Sequence, residues 1–243
     1  MADRASPHER VLVFVPTYND VEHLHSLIEE VRGLPGEFTV LIVDDGSTPP
    51  VRLDKQADSA LLFRIPSNLG LGACTHIAFD HALRWRYRSV VRVDADGQHP
   101  VGAIPDLLEA LDSDGVDMVV AERTNRHDGH GVRSILAKLV RGYLSVISKL
   151  MTHGRAPQDV NSGYFAATAH AAEVMNEYQL ERYPEPQMYV LACRRELKIK
   201  EIPVEQLDRK HGSSSLTINR AALLMYRFSI FVLAELLQRS RIA

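Results

Sequence analysis

The sequence predicts an α/β fold in which a mostly parallel sheet is flanked by helices and followed by a C-terminal amphipathic helix. Three observations predict it. Apolar runs such as residues 11–15 and 38–43 stop abruptly in polar, turn-forming loops, as strands buried on both faces do. Between these runs lie segments whose apolar residues recur at helical spacing. The 243 residues, 45% hydrophobic and 24% charged, can bury a full core, read as one domain over 1–215 with the last helix over 216–243. This composition excludes a disordered chain, and a net charge of −3 gives no general attraction to nucleic acid. Cys74 and Cys193 sit in apolar helical patterns without metal or redox spacing, which predicts buried thiols in a reducing compartment. The first ten residues lack an apolar signal core, and no stretch of the main body is apolar for long enough to span a bilayer, so a cytoplasmic location is expected.

Taken in order, the first strand ends at Pro16 and the loop P-T-Y-N-D. Asn19 or Asp20 is expected to cap a helix carrying Val21, Leu24, Leu27, Ile28 and Val31, which Gly33 and Pro35 end. The second strand ends in Asp44 and Asp45, where nucleotide-binding folds read a ribose or base edge; turn or capping chemistry is the alternative. No glycine follows the first strand, so the dinucleotide fingerprint is absent. A third strand over 61–65 leads to S-N-L-G-L-G-A, where Gly70 and Gly72 permit close approach of a ligand or a neighbouring helix. A helix through Phe79 and Leu83 follows, then a fourth strand. Ile104, Leu107, Leu108 and Leu111 mark the next helix, and a fifth strand leads to Glu122 and Arg123. Polar residues 124–132 read as a loop or lid, residues 133–151 as a helix, and S-G-Y-F as the entry to a short strand. Y-P-E-P-Q-M starts a helix, residues 198–204 alternate as a strand, and R-K-H-G-S-S is a second polar loop. In the last helix Arg220, Arg227 and Gln238 share a narrow stripe, and the greasy remainder requires cover from the body, a second copy in a homodimer, or a membrane interface.

The chemistry concentrates at V-V-R-V-D-A-D-G-Q-H-P, residues 90–100. Asp94 and Asp96 follow the fourth strand at i and i+2, with Gln98 beside them. Carboxylates past a buried strand end face the crevice where open α/β sheets bind ligands. Such a pair suits a hard divalent cation, Mg²⁺ or Mn²⁺, that keeps open positions for phosphate oxygens. An EF-hand is excluded because the glycine falls at the wrong loop position and Pro105 stands in place of the bidentate glutamate.

In order, P-T-Y-N-D, D-D-G-S, N-L-G-L-G-A, D-A-D-G-Q-H-P, S-G-Y-F, Y-P-E-P, E-I-P-V and R-K-H-G-S-S resemble the motif series of family 2 glycosyltransferases of the GT-A fold. Within that family the series is most similar to the polyprenyl-phosphate branch that includes dolichyl-phosphate mannose synthase. The resemblance implies that Pro16, Tyr18, Asp20, Asp44 and Asp45 hold the nucleoside, with Asp20 where the family usually has glutamate, and that Gly70 belongs to the same donor site. It implies that Asp94, Asp96 and Gln98 form the metal and diphosphate site. By the same resemblance Arg123 and Arg133 face an acceptor phosphate, and Arg209 and Ser214 close over the donor. The sequence departs from the family at Ala137, which replaces a phosphate-binding serine, at Leu71, which replaces a basic residue, and at Gln187, which replaces a glutamate near the acceptor side.

The expected reaction is an inverting transfer of sugar from a nucleotide-diphosphate sugar to a polyprenyl phosphate at the inner membrane face. The alternative acceptor is a sugar or other hydroxyl. A phosphate monoester is already an anionic nucleophile at neutral pH, its second pKa being about 6. A hydroxyl needs a general base, for which Asp159 and Glu185 are both candidates. A silent nucleotide-sugar-binding protein is a third reading, disfavoured by the intact acidic motif.

Overall fold

The computed structural model describes residues 10–53, 60–125, 132–207 and 218–239. Among them, seven strands form one sheet in the order β3-β2-β1-β4-β6-β5-β7. The strands are β1 (Val11–Thr17), β2 (Phe38–Asp44), β3 (Ala60–Arg64), β4 (Ser89–Arg92), β5 (Met118–Arg123), β6 (Phe165–Thr168) and β7 (Ile199–Val204). All neighbours pair in parallel except β6, which runs antiparallel to both β4 and β5. Alternation along β1 explains its unbroken apolar run. Leu12 and Phe14 join one core cluster and Val11, Val13 and Val15 the other, so both faces are covered.

The helices are α1 (Leu24–Arg32), α2 (Leu71–Arg84), α3 (Ile104–Leu111), α4 (Val132–Met151), α5 (Ala169–Asn176), α6 (Glu185–Arg194) and α7 (Ile218–Arg239). Apolar residues of α1 and α3 fill one face of the sheet, and those of α2, α4, α5, α6 and α7 the other. Phe165 of β6 sits edge-on to Phe14 and Phe79, at centroid distances of 6.3 and 6.4 Å. Ala221 and Phe228 bury α7 against the same cluster, so the last helix is packed on the body. The expected boundary at residue 215 lies outside the described residues.

Two elements differ from expectation. Helix α1 starts at Leu24 rather than near Val21, which is 50% exposed. Asn19 does not cap it: Asn19 adopts φ 54°, its N–H donates to Ser47 Oγ at 2.9 Å, and its Oδ1 accepts from the Thr48 N–H at 2.8 Å. The loop after β1 is thereby tied to the loop after β2, and the helix begins one turn later. Helix α5 has no counterpart in the sequence reading; its signal is Thr168, whose side chain accepts from the Ala171 N–H.

Candidate functional site

Parallel strands place the ends of β1, β2, β4 and β5 along one rim. The reversed β6 begins where they end, since Phe165 lies opposite Arg92 and Val120. Residues 159–164 therefore join the rim from the other direction. Two cavities open there, one of about 1000 Å³ and one of about 280 Å³. Leu71, Asp96, Tyr183, Pro186 and Leu224 line both.

The larger cavity takes Tyr18 and Asp20 from the loop after β1, Asp45 from the end of β2, Asn68 and Gly70, and one face of α7. Pro16 is buried within β1, where it shapes the approach to that loop. Asp45 accepts from Asn68 Nδ2 at 2.9 Å and from the backbone N–H groups of Leu69 and Gly70 at 2.7 and 2.8 Å. It holds the glycine loop in place at the cavity wall.

Asp44, expected to hold the nucleoside with Asp45, is instead 0% exposed. Its oxygens accept from the N–H groups of Ser47 (2.8 Å) and Val51 (3.2 Å), and Arg64 lies 3.5 Å away. The turn after β2 covers this carboxylate, and it lines neither cavity. Burial alone would raise its pKa, but the Ser47 and Val51 bonds and Arg64 outweigh burial and hold it below 3.8. Asp44→Asn should cost about 1–3 kcal/mol. A depressed folded pKa gives stability that is complete above the unfolded value and lost as pH falls through the folded one. Thermal unfolding should therefore show a constant gap between wild type and variant above about pH 5 that shrinks below about pH 4. A gap unchanged down to the acid limit would refute the assignment.

Gly70 lines the larger cavity and also serves packing. At φ 99°, a Cβ on Gly70 would lie 2.4 Å from Arg182 Cγ, and one on Gly72 would lie 2.2 Å from the Glu181 carbonyl oxygen. The missing Cβ atoms make room for residues 180–182.

The smaller cavity is polar and built on ion pairs. Arg92, 1% exposed, donates from Nε to Asp94 Oδ1 at 3.0 Å and from Nη1 to Glu185 Oε1 at 2.6 Å. Burial raises the pKa of Asp94, but the Arg92 guanidinium beside it, with Arg123 farther off, holds it below the usual value. Gly163 of S-G-Y-F permits this packing, because a Cβ there would lie 2.9 Å from Arg92 Nη2 and 3.2 Å from Asp94 Oδ2. His99 stacks on Tyr164 at 4.7 Å, and its Nδ1 accepts from the Asp94 N–H at 3.0 Å. Burial outweighs Asp94 and Asp96 and pushes the imidazole pKa down, so the neutral ring carries its proton on Nε2.

Arg123 donates to Asp159 through Nε at 2.5 Å and Nη2 at 2.8 Å, and the Asp159 side chain is 0% exposed. Asp159 is therefore no candidate base: both its oxygens are spent on holding Arg123 toward the cavity. Glu185 lines the cavity and supplies the carboxylate that the sequence seemed to lack at Gln187. Gln187 instead accepts from the Glu181 N–H at 2.7 Å and donates to the Gln179 carbonyl at 3.1 Å.

Asp96 opens on both cavities, and its Oδ1 accepts from the Gln98 N–H at 3.1 Å. Among the described residues no group of three or more His, Cys, Asp or Glu is arranged to hold a metal ion. The donors present fit an oxygen-seeking divalent ion that takes Asp96 and Gln98 from the chain and completes its shell with phosphate oxygens and water. Asp94, expected as a second ligand, gives Oδ1 to Arg92. Arg133 lies in the first turn of α4, with its side chain outside the described part, and Arg209 and Ser214 lie outside the described residues. Sequence reasoning missed Arg92, Arg182 and Leu224 as site residues; Arg92 stands inside the 90–100 stretch but reads there as a strand residue, and Arg182 and Leu224 stand in no motif that marks them.

The family model described as "Glycosyl transferase family 2" matches residues 12–165. A polyprenol monophosphomannose synthase of Mycolicibacterium smegmatis is 27% identical over 97% of this chain and 91% of its own. An undecaprenyl-phosphate 4-deoxy-4-formamido-L-arabinose transferase of Salmonella choleraesuis is 28% identical over 91% of this chain and 67% of its own. Among solved structures, glucosyl-3-phosphoglycerate synthase from Mycobacterium tuberculosis, in complex with Mn²⁺, uridine diphosphate and phosphoglyceric acid, superposes with a TM-score of 0.67 at 17% identity. That match covers 93% of this chain and 78% of the synthase.

Proposed function

The chain belongs to glycosyl transferase family 2, and on that premise we propose that it transfers a sugar, with inversion, from a nucleotide-diphosphate sugar to a polyprenyl phosphate with the help of Mg²⁺ or Mn²⁺. The observation that carries this reading is Asp96 standing between a large cavity and a small one that contains a buried-carboxylate-braced arginine. Tyr18, Asp20 and Asp45 hold the nucleoside, and Asp96 with Gln98 holds the ion. The bound ion neutralises the departing diphosphate. Arg123 and Arg133 receive the acceptor phosphate. Such an acceptor needs no base, which agrees with the carboxylates at hand: Asp159 is fully used by Arg123 and Glu185 gives Oε1 to Arg92. The names of the two relatives, both polyprenyl-phosphate enzymes, support the same acceptor class. Incubation with Mn²⁺, candidate nucleotide sugars and a prenyl phosphate should yield an organic-soluble phosphosugar; transfer to a soluble alcohol with none to prenyl phosphate would reject the reading.

The reading includes peripheral contact with an anionic membrane surface. Among the described residues no helix is long and apolar enough to cross a bilayer. Packed together, α4 and α7 nevertheless leave Leu139 (65% exposed) and Leu150 (69%) uncovered, along with Ile135, Val146, Tyr226, Leu233 and Leu237. Helix α4 also carries Lys138, Arg141 and Lys149 and no acidic residue. Sedimentation with vesicles containing phosphatidylglycerol should pull the protein down, and Leu139→Glu with Leu150→Glu should release it. A protein that stays in the supernatant and is dimeric by light scattering would assign the surface to a second copy.

A further inference from the structure

We infer that Arg182 is a donor-binding residue whose guanidinium grips the diphosphate of the nucleotide sugar. The inference rests on the assignment of the larger cavity to the donor. The backbone that carries Arg182 is held from several sides. Gln187 bridges the Glu181 N–H and the Gln179 carbonyl, at 2.7 and 3.1 Å. His76 Nε2 accepts from the Leu180 N–H at 3.2 Å, and the Leu71 N–H donates to the Arg182 carbonyl at 3.1 Å. The side-chain stem fills the space left open at Gly70, and Nη1 reaches the Asn68 carbonyl at 3.4 Å. That turn is the one Asp45 fastens, so the same carboxylate that lines the cavity also positions the platform on which Arg182 lies.

Charge decides what this arrangement is for. Among the described residues the cavity wall carries Arg182 and Arg227 as its cations. A diphosphate bound there calls for such cations beside its charge. Arg227 is already paired with Glu181 at 3.0 Å. Arg182 makes no ion pair with any described residue, and its side chain is exposed at the cavity. A guanidinium on a fixed backbone that is not neutralised by its acidic neighbours is disposed to take a phosphate bidentately.

The test separates the phosphate from the nucleoside. Uridine, guanosine, cytidine, adenosine and thymidine diphosphates are titrated calorimetrically into wild type with Mn²⁺, and the tightest ligand is then compared with its bare nucleoside on Arg182→Ala and Arg182→Lys. The diphosphate Kd should rise about tenfold or more in the alanine variant, while the nucleoside Kd changes less than about twofold. Lysine should recover part of the loss, and the donor KM should rise more than kcat falls. Equal weakening of diphosphate and nucleoside would place Arg182 on the nucleoside and overturn the inference, as would unchanged diphosphate affinity. Wild type that binds none of the five diphosphates would overturn the proposed function itself, an outcome read before any variant is made.

Discussion

Asp96→Asn is expected to lower turnover by about 10³-fold or more while leaving the unfolding midpoint close to wild type. Both halves follow from the geometry. Asp96 lines both cavities, so its charge faces the place where diphosphate must depart, and asparagine removes that charge. The amide keeps an oxygen at the position that accepts from the Gln98 N–H, so the turn is preserved. Mn²⁺-dependent nucleotide binding, measured by calorimetry, should disappear in the variant, and chelation should reproduce that loss in wild type. A variant that retains turnover would remove Asp96 from the metal assignment.

Arg92→Met is expected to have the largest effect on stability, about 3–5 kcal/mol in a urea titration. The substitution keeps most of the buried volume and strands Asp94 and Glu185, which Arg92 holds at 2.9 and 2.6 Å. Breaking one partner of a buried pair costs more than removing both, because the remaining charge is left without compensation. Adding Glu185→Gln should therefore restore part of the lost stability. If the single variant unfolds at the wild-type urea concentration, Arg92 is not the electrostatic keystone of the smaller cavity.

The comparison of these two residues shows what was legible in the sequence. Asp96 could be read because its role is local: an apolar run fixes the strand, and a carboxylate just past it has one direction to face. Arg92 could not, because its second partner is 93 residues away. Nothing near V-V-R-V says that the arginine points inward. Asp44 and Asp45 make the same point, since adjacent positions at a strand end face opposite ways: one lines a cavity and the other is sealed under a turn. The parallel strands were legible as apolar runs. The late start of α1 was not, because Val21 keeps helical spacing while the loop is held open by Asn19 and Ser47. Gly70 and Gly72 announced a close approach, but only packing identifies the visitor as the 180–182 segment.

Leu224 borders both compartments, and Leu223, Arg227, Phe228 and Phe231 of the same helix border the larger one. The final 22-residue helix is thus a shared partition of the reaction vessel as well as its outermost surface. On the proposed function, a load on its outer side, whether from lipid or from a second copy, would bear on the space in which donor and acceptor meet. Anchoring and catalysis would then share a lever, and a substitution on the outside of that helix would be felt by the chemistry inside.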